Sequence, residues 1–378
     1  MQRVDCLIVG AGIAGASAAY ELAADRSVVV IEREERPGYH STGRSAALFT
    51  ETYGNATVRA LTTASKPFYS APPEGFAAYP LLTPRGTLII GRADQQAQIE
   101  AAYAEGARNG HVRRVSREEA IAFVPVLRPD YVAGGVFEPN ARDLDVDAIH
   151  QGYLRGLRQR GGSVVTRAEV IRIARDNELW VATTPAGAYA APILINAAGA
   201  WADVIAGLAG ASPIGLVPKR RSAFTFAAPP GMQPAAWPAT IDVDERFYFK
   251  PEAGLLLGSP ANEDPVEPHD VQPEDLDIAY AVDRIERATT LTVQRMQRKW
   301  AGLRSFVPDK TLVNGFAPDA PGFFWLAGQG GYGIQTAPAM ARLCAAQVRG
   351  EAIPADLVAT GVAAAALSPA RFRRGCAA

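Results

Sequence analysis

Cysteine is nearly missing: only Cys6, Cys344 and Cys376 occur in 378 residues, too few and too scattered for a disulfide framework or a metal site. Cys6 falls in an apolar run and Cys344 in an expected helix, so both read as small hydrophobes. Histidine is also scarce, and His40, His111, His150 and His269 form no evident catalytic triad. Charge of one sign is lacking too. The 38 basic and 39 acidic residues leave a formal net charge of −1, without the basic excess of a nucleic-acid binder. No apolar run approaches the roughly twenty residues that span a bilayer. The first expected strand starts within the opening residues and leaves no place for a signal peptide, so a soluble, cytoplasmic protein is expected. Neither internal repeats nor low-complexity linkers interrupt the chain, whose length suits two modest domains or one domain with an insertion.

What is present is organised around residues 4–32, VDCLIVGAGIAGASAAYELAADRSVVVIE. The run 6–9 suits a strand buried on both faces of a parallel sheet, which need not alternate. Gly10 permits a tight turn, Gly12 lets backbone approach a pyrophosphate, and Gly15 lets a helix pack close to the strand. The helix beginning near Ile13 and Ala14 then presents free N–H groups and a positive dipole end to that pyrophosphate. Glu32 ends a second strand about twenty residues on, where a carboxylate accepts hydrogen bonds from ribose hydroxyls. A glycine-rich turn alone is weak evidence. Strand, turn, helix, strand and acid together indicate a dinucleotide.

Along the chain, helical spacing marks 57–68, 93–107, 145–160 and 273–297, and another helix starts near Trp201. Ser116 and Glu119 form a capping box ahead of 120–123. Strands are expected at 81–90 with a bend at 84–86, then 132–137, 163–166 and 170–173. Further strands fall at 179–184, 189–191, 193–196, within 214–226 and 239–259, and at 323–327. The fold class is therefore α/β: a discontinuous Rossmann-like domain (1–55, 145–214 and 300–378) with an α+β domain on a mainly antiparallel sheet (56–144 and 215–299). The loop after Glu32, with Arg33 and then Ser41, Thr42 and Gly43 opening onto Arg44, Ser45, Ala46 and Ala47, suits a second helix N-terminus facing the cofactor, with Arg44 offsetting phosphate charge. Taken alone, an ordinary capped helix is the simpler reading. The junction at Ala198, Gly199 and Trp201 suits the far side of a nucleotide site. The turn through Gly330, Gly331, Tyr332, Gly333, Ile334 and Gln335 is too rich in glycine for a mere connection. The basic tail, 371–378, reads as frayed.

Several stretches carry a resemblance: VGAGIAGAS at the start, GYHSTGRSAA at 38–47, HQGYLRG at 150–156, NAAGAWAD at 196–203, PKRRSAF at 218–224, WAGLRSF at 300–306 and QGGYGIQT at 329–336. They resemble the FAD-dependent D-amino-acid oxidase superfamily, which includes glycine oxidase and sarcosine oxidase, and within it most of all the bacterial D-arginine dehydrogenases. The resemblance implies non-covalent FAD: pyrophosphate on residues 10–15, ribose on Glu32, adenine near the backbone of Val170. It puts the isoalloxazine near Ser45, Ala46 and the 330–335 turn, whose helix N-terminus would stabilise negative charge on the reduced ring. Arg221 and Arg304 stand where the family clamps a substrate carboxylate, a task for which arginine's fork is suited. Tyr53 and Tyr248 complete the clamp, and the Gly331 carbonyl accepts from the substrate amine.

Two departures bear on substrate choice. The resembling dehydrogenases have a glutamate where this chain has Thr87, and a histidine where it has Leu48. A neutral hydroxyl removes the counter-charge for a cationic side chain, and desolvating an unpaired cation costs several kcal/mol. Leu48 adds apolar surface instead. The expected activity is hydride transfer from a D-amino acid to flavin, giving an imino acid and then a 2-oxo acid and ammonia, with neutral or apolar side chains preferred. Alternatives are oxidation of secondary amines such as sarcosine, D-arginine oxidation with a different cation site, and a flavin-bearing protein without turnover. The electron acceptor stays open among oxygen, a quinone and a soluble carrier.

Overall fold

The structure, a computed structural model, describes residues 1–108 and 112–372. His111, Cys376 and most of the basic tail therefore lie outside the described residues. Six strands form the central sheet in the order Ser163–Val165, Val28–Ile31, Cys6–Val9, Ile193–Asn196, Phe323–Ala327 and Val313–Phe316. All neighbours run parallel except the last pair. Cys6–Val9 and Val28–Ile31 are buried at every residue, which is why neither sequence alternates. Cys6, Ile8, Val28 and Val30 pack with Ala18, Leu22 and Leu343 on one side. Leu7, Val9, Val29 and Ile31 pack with Trp180, Ala182 and Ile205 on the other.

The two sides are different layers. One holds the helices Ile13–Leu22, Ala56–Ser70, Val146–Gln159 and Gly333–Arg349, with Ile13–Leu22 touching both of the last two. The other holds the meander of Arg172–Asp176, Leu179–Thr184 and Gly187–Ala191, to which Gln2–Arg3 adds in parallel, and the helix Ala202–Ala209. The short helix Arg117–Phe123 carries the expected capping box between Ser116 and Glu119.

A nine-stranded sheet stands over this unit, its path running Asp264–Pro265, Val217–Phe226, Leu255–Ser259, Tyr248–Glu252, Ala239–Asp242, Thr87–Gly91, Gly134–Glu138 and Arg113–Ser116. Met296–Phe306 pairs with Val217–Phe226 along its length. One face buries Leu88, Ile90, Phe224, Phe226 and Phe249 against Ile278 and Ile285 of the helix Asp275–Ala288. The other face meets the central unit and carries the site. A small sheet of Leu48–Phe49, Arg142–Leu144 and Leu82–Pro84 closes one edge.

The structure corrects several expectations. The helix expected over 273–297 ends at Ala288, where Thr289 turns to φ −136° and ψ 170°. The β-branched residues Thr289, Thr290, Thr292 and Val293 lose χ1 freedom in a helix, and strand pairing from Met296 takes over. That strand crosses position 300, the boundary drawn from the sequence. Residues 38–44 form turns and 45–47 an irregular stretch rather than a helix, because their polar groups are drawn into distant contacts: the Ser41 hydroxyl donates to the Leu303 carbonyl at 2.6 Å, and Arg44 donates to the carbonyls of Val271 and Ala301. Residues 93–95 form a 3-10 turn ahead of the helix Gln96–Ala107. Arg371, at the start of the tail read as frayed, is tied to Asp309 at 2.7 Å. Among the described residues, no helix is long and apolar enough to cross a membrane, and no His, Cys, Asp and Glu cluster could hold a metal.

Candidate active site

A cavity of about 870 Å³ runs between the central unit and the nine-stranded sheet. Its lining gathers the expected residues from both ends of the chain: Gly10, Gly12, Ile13, Ala14, Glu32, Arg33, the 41–48 loop, Val170, Ala198, Trp201, Arg221, Tyr248, Arg304 and residues 330–335. Gly15 lies just behind this lining. A Cβ there would stand 1.9 Å from the Gly10 carbonyl oxygen and 3.3 Å from Ile8, so helix and strand touch through backbone. Gly10 adopts φ +98°, and a Cβ on it would meet the Ala197 oxygen at 2.5 Å. The cradle therefore exists only with glycine at both positions.

The turn is pinned from three sides. A Glu32 oxygen accepts from the Ala11 N–H at 2.8 Å, and the other accepts from the Glu34 N–H at 3.0 Å. Each oxygen keeps a lone pair for a ribose hydroxyl. Thr42 caps the first helix from outside, its hydroxyl oxygen accepting from the Ile13 N–H at 3.0 Å. His150 lies 2.8 Å from the Ala11 carbonyl through Nε2; a carbonyl only accepts, so Nε2 carries the proton. Sequence reading missed this role, although His150 opens one of the quoted motifs.

Burial pushes the His150 pKa below its ordinary 6.5, the reverse of what a histidine gaining an anionic partner would show. The unfolded chain then binds the proton more readily, so the stabilisation is present above pH 6.5 and lost as pH falls below that value. Melting of the holoprotein between about pH 7 and about pH 5.5 is expected to show Tm falling on acidification. His150→Gln, which keeps an N–H near the same place without titrating, should flatten that slope; an unchanged slope would refute the assignment.

At the far end of the cavity, Arg33 stacks 4.8 Å from the Trp201 ring centre and pairs with Glu169 at 3.5 Å. His40 packs 4.7 Å from the same ring and pairs with Glu34 at 2.9 Å. Gly199 sits at φ +56° in the turn that presents Trp201. Ser45, Ala46, Ala47 and Leu48 also line the cavity. Arg44 does too, but its guanidinium is bound by Asp270 at 2.5 Å, so its charge is already balanced there rather than held for a phosphate. Gln335 is likewise committed: its oxygen accepts from the Thr50 N–H at 3.3 Å and its amide donates to Thr62 at 2.9 Å.

The opposite end is cationic. Val217–Phe226 and Met296–Phe306 place Arg221 opposite Gly302 and Arg304 opposite Lys219, so both guanidiniums rise from one sheet face. Arg221, 9 % exposed, donates to the Asn262 carbonyl at 2.7 Å and to Glu263 at 3.3 Å. Glu263 is shared with Lys219 at 3.0 Å and Lys310 at 3.9 Å. Burial, then the like charge of Arg304, lowers the Arg221 pKa. Among the described residues, the one hydrogen-bond partner of Arg304 is the Tyr53 phenol at 3.1 Å. Tyr53 packs on Tyr332 with ring centres 5.0 Å apart. Gly331 lies directly on this group, since a Cβ there would stand 2.9 Å from the Arg304 guanidinium carbon. Two guanidiniums, two phenols and the start of the Gly333–Arg349 helix thus converge on a place fit for an anion.

Beside the clamp, the cavity is lined by Leu48, Ile89, Val136 and Ile241. Thr87 is there as expected, 4 % exposed, but it stands directly across from Glu138. Glu138 went unnoticed in the sequence, where no motif marks it; only strand pairing brings it to Thr87. A buried carboxylate thus lines the cavity across from Thr87, where the sequence reading saw only a neutral hydroxyl.

Comparison with known proteins agrees with this geometry. A family model described as FAD dependent oxidoreductase (DAO) matches residues 5–347. Glycine oxidase of Geobacillus kaustophilus is 23% identical over 371 residues, covering 94% of this chain and 95% of that protein. Its crystal structure superposes with a TM-score of 0.83 over 93% of this chain and 96% of that one, at 22% identity. L-proline dehydrogenase from P. horikoshii covers 99% of both chains with a TM-score of 0.84 and 21% identity. Mitochondrial dimethylglycine dehydrogenase of Rattus norvegicus is 24% identical over 265 residues, 68% of this chain but only 31% of that protein.

Proposed function

The chain belongs to the DAO family of FAD-dependent oxidoreductases, and from that premise we propose that it oxidises the Cα–N bond of a D-amino acid to the imino acid. FAD is the cofactor; bound here, it would supply the two-electron acceptor for the hydride of Cα. The amine lone pair closes the C=N bond, a proton leaves nitrogen, and water converts the imine to a 2-oxo acid and ammonia. The observation that carries this reading is the pair Arg221 and Arg304 with Tyr53 and Tyr248 in one cavity. Its surplus of positive charge suits a substrate carboxylate, an anion whose two oxygens can accept from both guanidiniums.

The remaining roles come from the family resemblance and are supported by the cavity lining. Residues 10–15 and Glu32 would hold the pyrophosphate and ribose, the 168–170 backbone and Trp201 would hold the adenine, and residues 45–46 and 330–335 would hold the flavin ring. The Gly331 carbonyl accepts from the substrate amine and turns Cα–H toward the ring. No side-chain base is needed when the amine arrives neutral, so rate depends on positioning. A second reading, oxidation of an N-alkylated amine, is supported by two relatives named above, a dimethylglycine dehydrogenase, named for a tertiary amine, and an L-proline dehydrogenase, named for a secondary one. The same clamp would serve it.

Anaerobic flavin bleaching with D- and L-amino acids, sarcosine and proline tests the reading. Bleaching by D-amino acids in preference to their L-forms is the expected result. Bleaching by sarcosine or proline alone moves the assignment to secondary amines, and a flavin that no amine bleaches removes the enzymatic reading.

A further inference from the structure

The cavity has a second charged place, on a strand three places along the sheet from the one bearing Tyr248. Glu138 is 3 % exposed and lines the cavity. One carboxylate oxygen accepts from the Glu51 N–H at 3.1 Å. The other accepts from the Thr52 hydroxyl at 2.6 Å and lies 3.4 Å from the Thr87 hydroxyl. All these neighbours are neutral donors. Among the described residues, no lysine, arginine or histidine pairs with Glu138, and the carboxylate of Glu51, a like charge acting on it, binds Lys66 at 2.6 Å.

A buried carboxylate without a counter-cation is costly to keep, yet here it faces a cavity instead of the core. The sheet sets its distance from the clamp. Tyr248 pairs with Ile241, Ile241 with Ile89, and Ile89 with Val136. Glu138 is two residues beyond Val136 on the same face of its strand. Three strand spacings, about 14 Å of backbone, therefore separate the phenol of the clamp from the strand bearing the acid. Both residues line the cavity. Its floor is apolar, made by Ile241, Ile89 and Val136, with Leu48 beside it. The loop ties the two ends together, since Thr52 donates to Glu138 while the adjacent Tyr53 contacts Arg304.

We propose that Glu138 is a specificity-determining residue, receiving a substrate side chain that has an apolar stem and ends in a positively charged nitrogen, an alkylammonium or guanidinium. This rests on the amino-acid oxidase reading above. The cavity is then complementary to a molecule with a carboxylate at one end and a cation at the other, with Thr87 supporting the acid rather than replacing one. Such a substrate gives Glu138 the counter-charge that the protein withholds.

The test is anaerobic flavin reduction of the holoenzyme by D-lysine, D-arginine, D-ornithine, D-leucine and D-methionine, in the native protein and in Glu138→Gln. The native enzyme is expected to favour the cationic acids. Glu138→Gln should raise their apparent Kd about 10- to 100-fold, the value of a hydrogen bond to a charged group, and leave the limiting reduction rate and the apolar substrates nearly unchanged. A native enzyme that prefers D-leucine or D-methionine overturns the proposal with no variant required, while leaving the oxidase reading intact. Equal losses for cationic and apolar substrates in Glu138→Gln also overturn it. A flavin that no amino acid bleaches removes both readings. If Glu138→Gln loses FAD, the preference of the native enzyme along the series D-ornithine, D-lysine, D-arginine against D-leucine decides.

Discussion

Gly15→Val is expected to yield a colourless protein that no longer retains FAD. Even an alanine Cβ at this position would lie 1.9 Å from the Gly10 carbonyl oxygen and 3.3 Å from the Ile8 methyl. The first of these is backbone and cannot swing aside. Gly10 is held in turn at φ +98° against the Ala197 oxygen, so relief must come from sliding the whole helix away from the strand. The helix start would then leave the cavity wall, and with it the N–H donors that a pyrophosphate needs. Overpacking of this kind typically costs 1–3 kcal/mol, occasionally more, and the binding penalty adds to it. A loss of FAD affinity above about 100-fold, roughly 2.7 kcal/mol, is the expected size. The measurements are the flavin absorbance band of the purified protein and its Tm. Gly207→Ala is the control: nothing lies within 4 Å of its added Cβ, in the interior of the helix Ala202–Ala209, so it should stay yellow and gain slightly in stability. A yellow Gly15→Val protein with full FAD occupancy would refute the close-contact role.

The same contact explains why this end of the site was legible in the sequence. Strand, turn and helix are adjacent in the chain, and each glycine reports a local steric demand. Phe323–Ala327 was likewise legible residue for residue, because a continuous apolar run bounded by glycine suits a strand buried on both faces. The sheet face over the cavity was not. Glu138 reaches Thr87 only through the antiparallel register of two strands about fifty residues apart, and no local pattern encodes a register of that kind. The strand from Met296 was hidden for a similar reason. Its first residues, Gln297, Arg298 and Lys299, are polar and basic and continue the charged helical pattern before them, and pairing with Val217–Phe226 overrides it. The 38–47 loop shows the converse: its small and polar residues read as a cap, but Leu303, Val271 and Ala301, more than 220 positions away, take its donors. His150 was visible as a residue but not as a role, since its acceptor is a backbone carbonyl 139 positions earlier. The arginine clamp became legible from the sequence only through family resemblance. Nothing in the spacing of Arg221 and Arg304 announces that they share a sheet face.

Arg304→Met should cost the enzyme most of its efficiency toward any amino-acid substrate without removing its flavin. Methionine keeps the apolar stem and deletes the fork, the part that lies beside Gly331. Of the two clamp arginines, Arg221 already donates to the Asn262 carbonyl and to Glu263, whereas Arg304 has the Tyr53 phenol alone among the described residues. More of its donor capacity is therefore left for a carboxylate. Removing one partner of a desolvated charge pair costs about 2–5 kcal/mol, which corresponds to a loss of roughly 30- to 5000-fold in kcat/KM. A clamp of this kind would grip the carboxylate in ground and transition states alike, so the larger share should appear in KM, with a smaller fall in kcat from a misplaced Cα–H. Arg304→Lys keeps the charge without the planar fork and should fall between the two. Arg221→Met and Arg304→Met together should lose less than the sum of the separate losses, because either alone already frees the carboxylate to tilt. Flavin content is the internal control, since Arg304 touches Gly331 but holds no part of the 10–15 turn. If Arg304→Met kept native KM and kcat for a D-amino acid with full FAD occupancy, the carboxylate would have to bind elsewhere, and the clamp at this end of the cavity would be wrong.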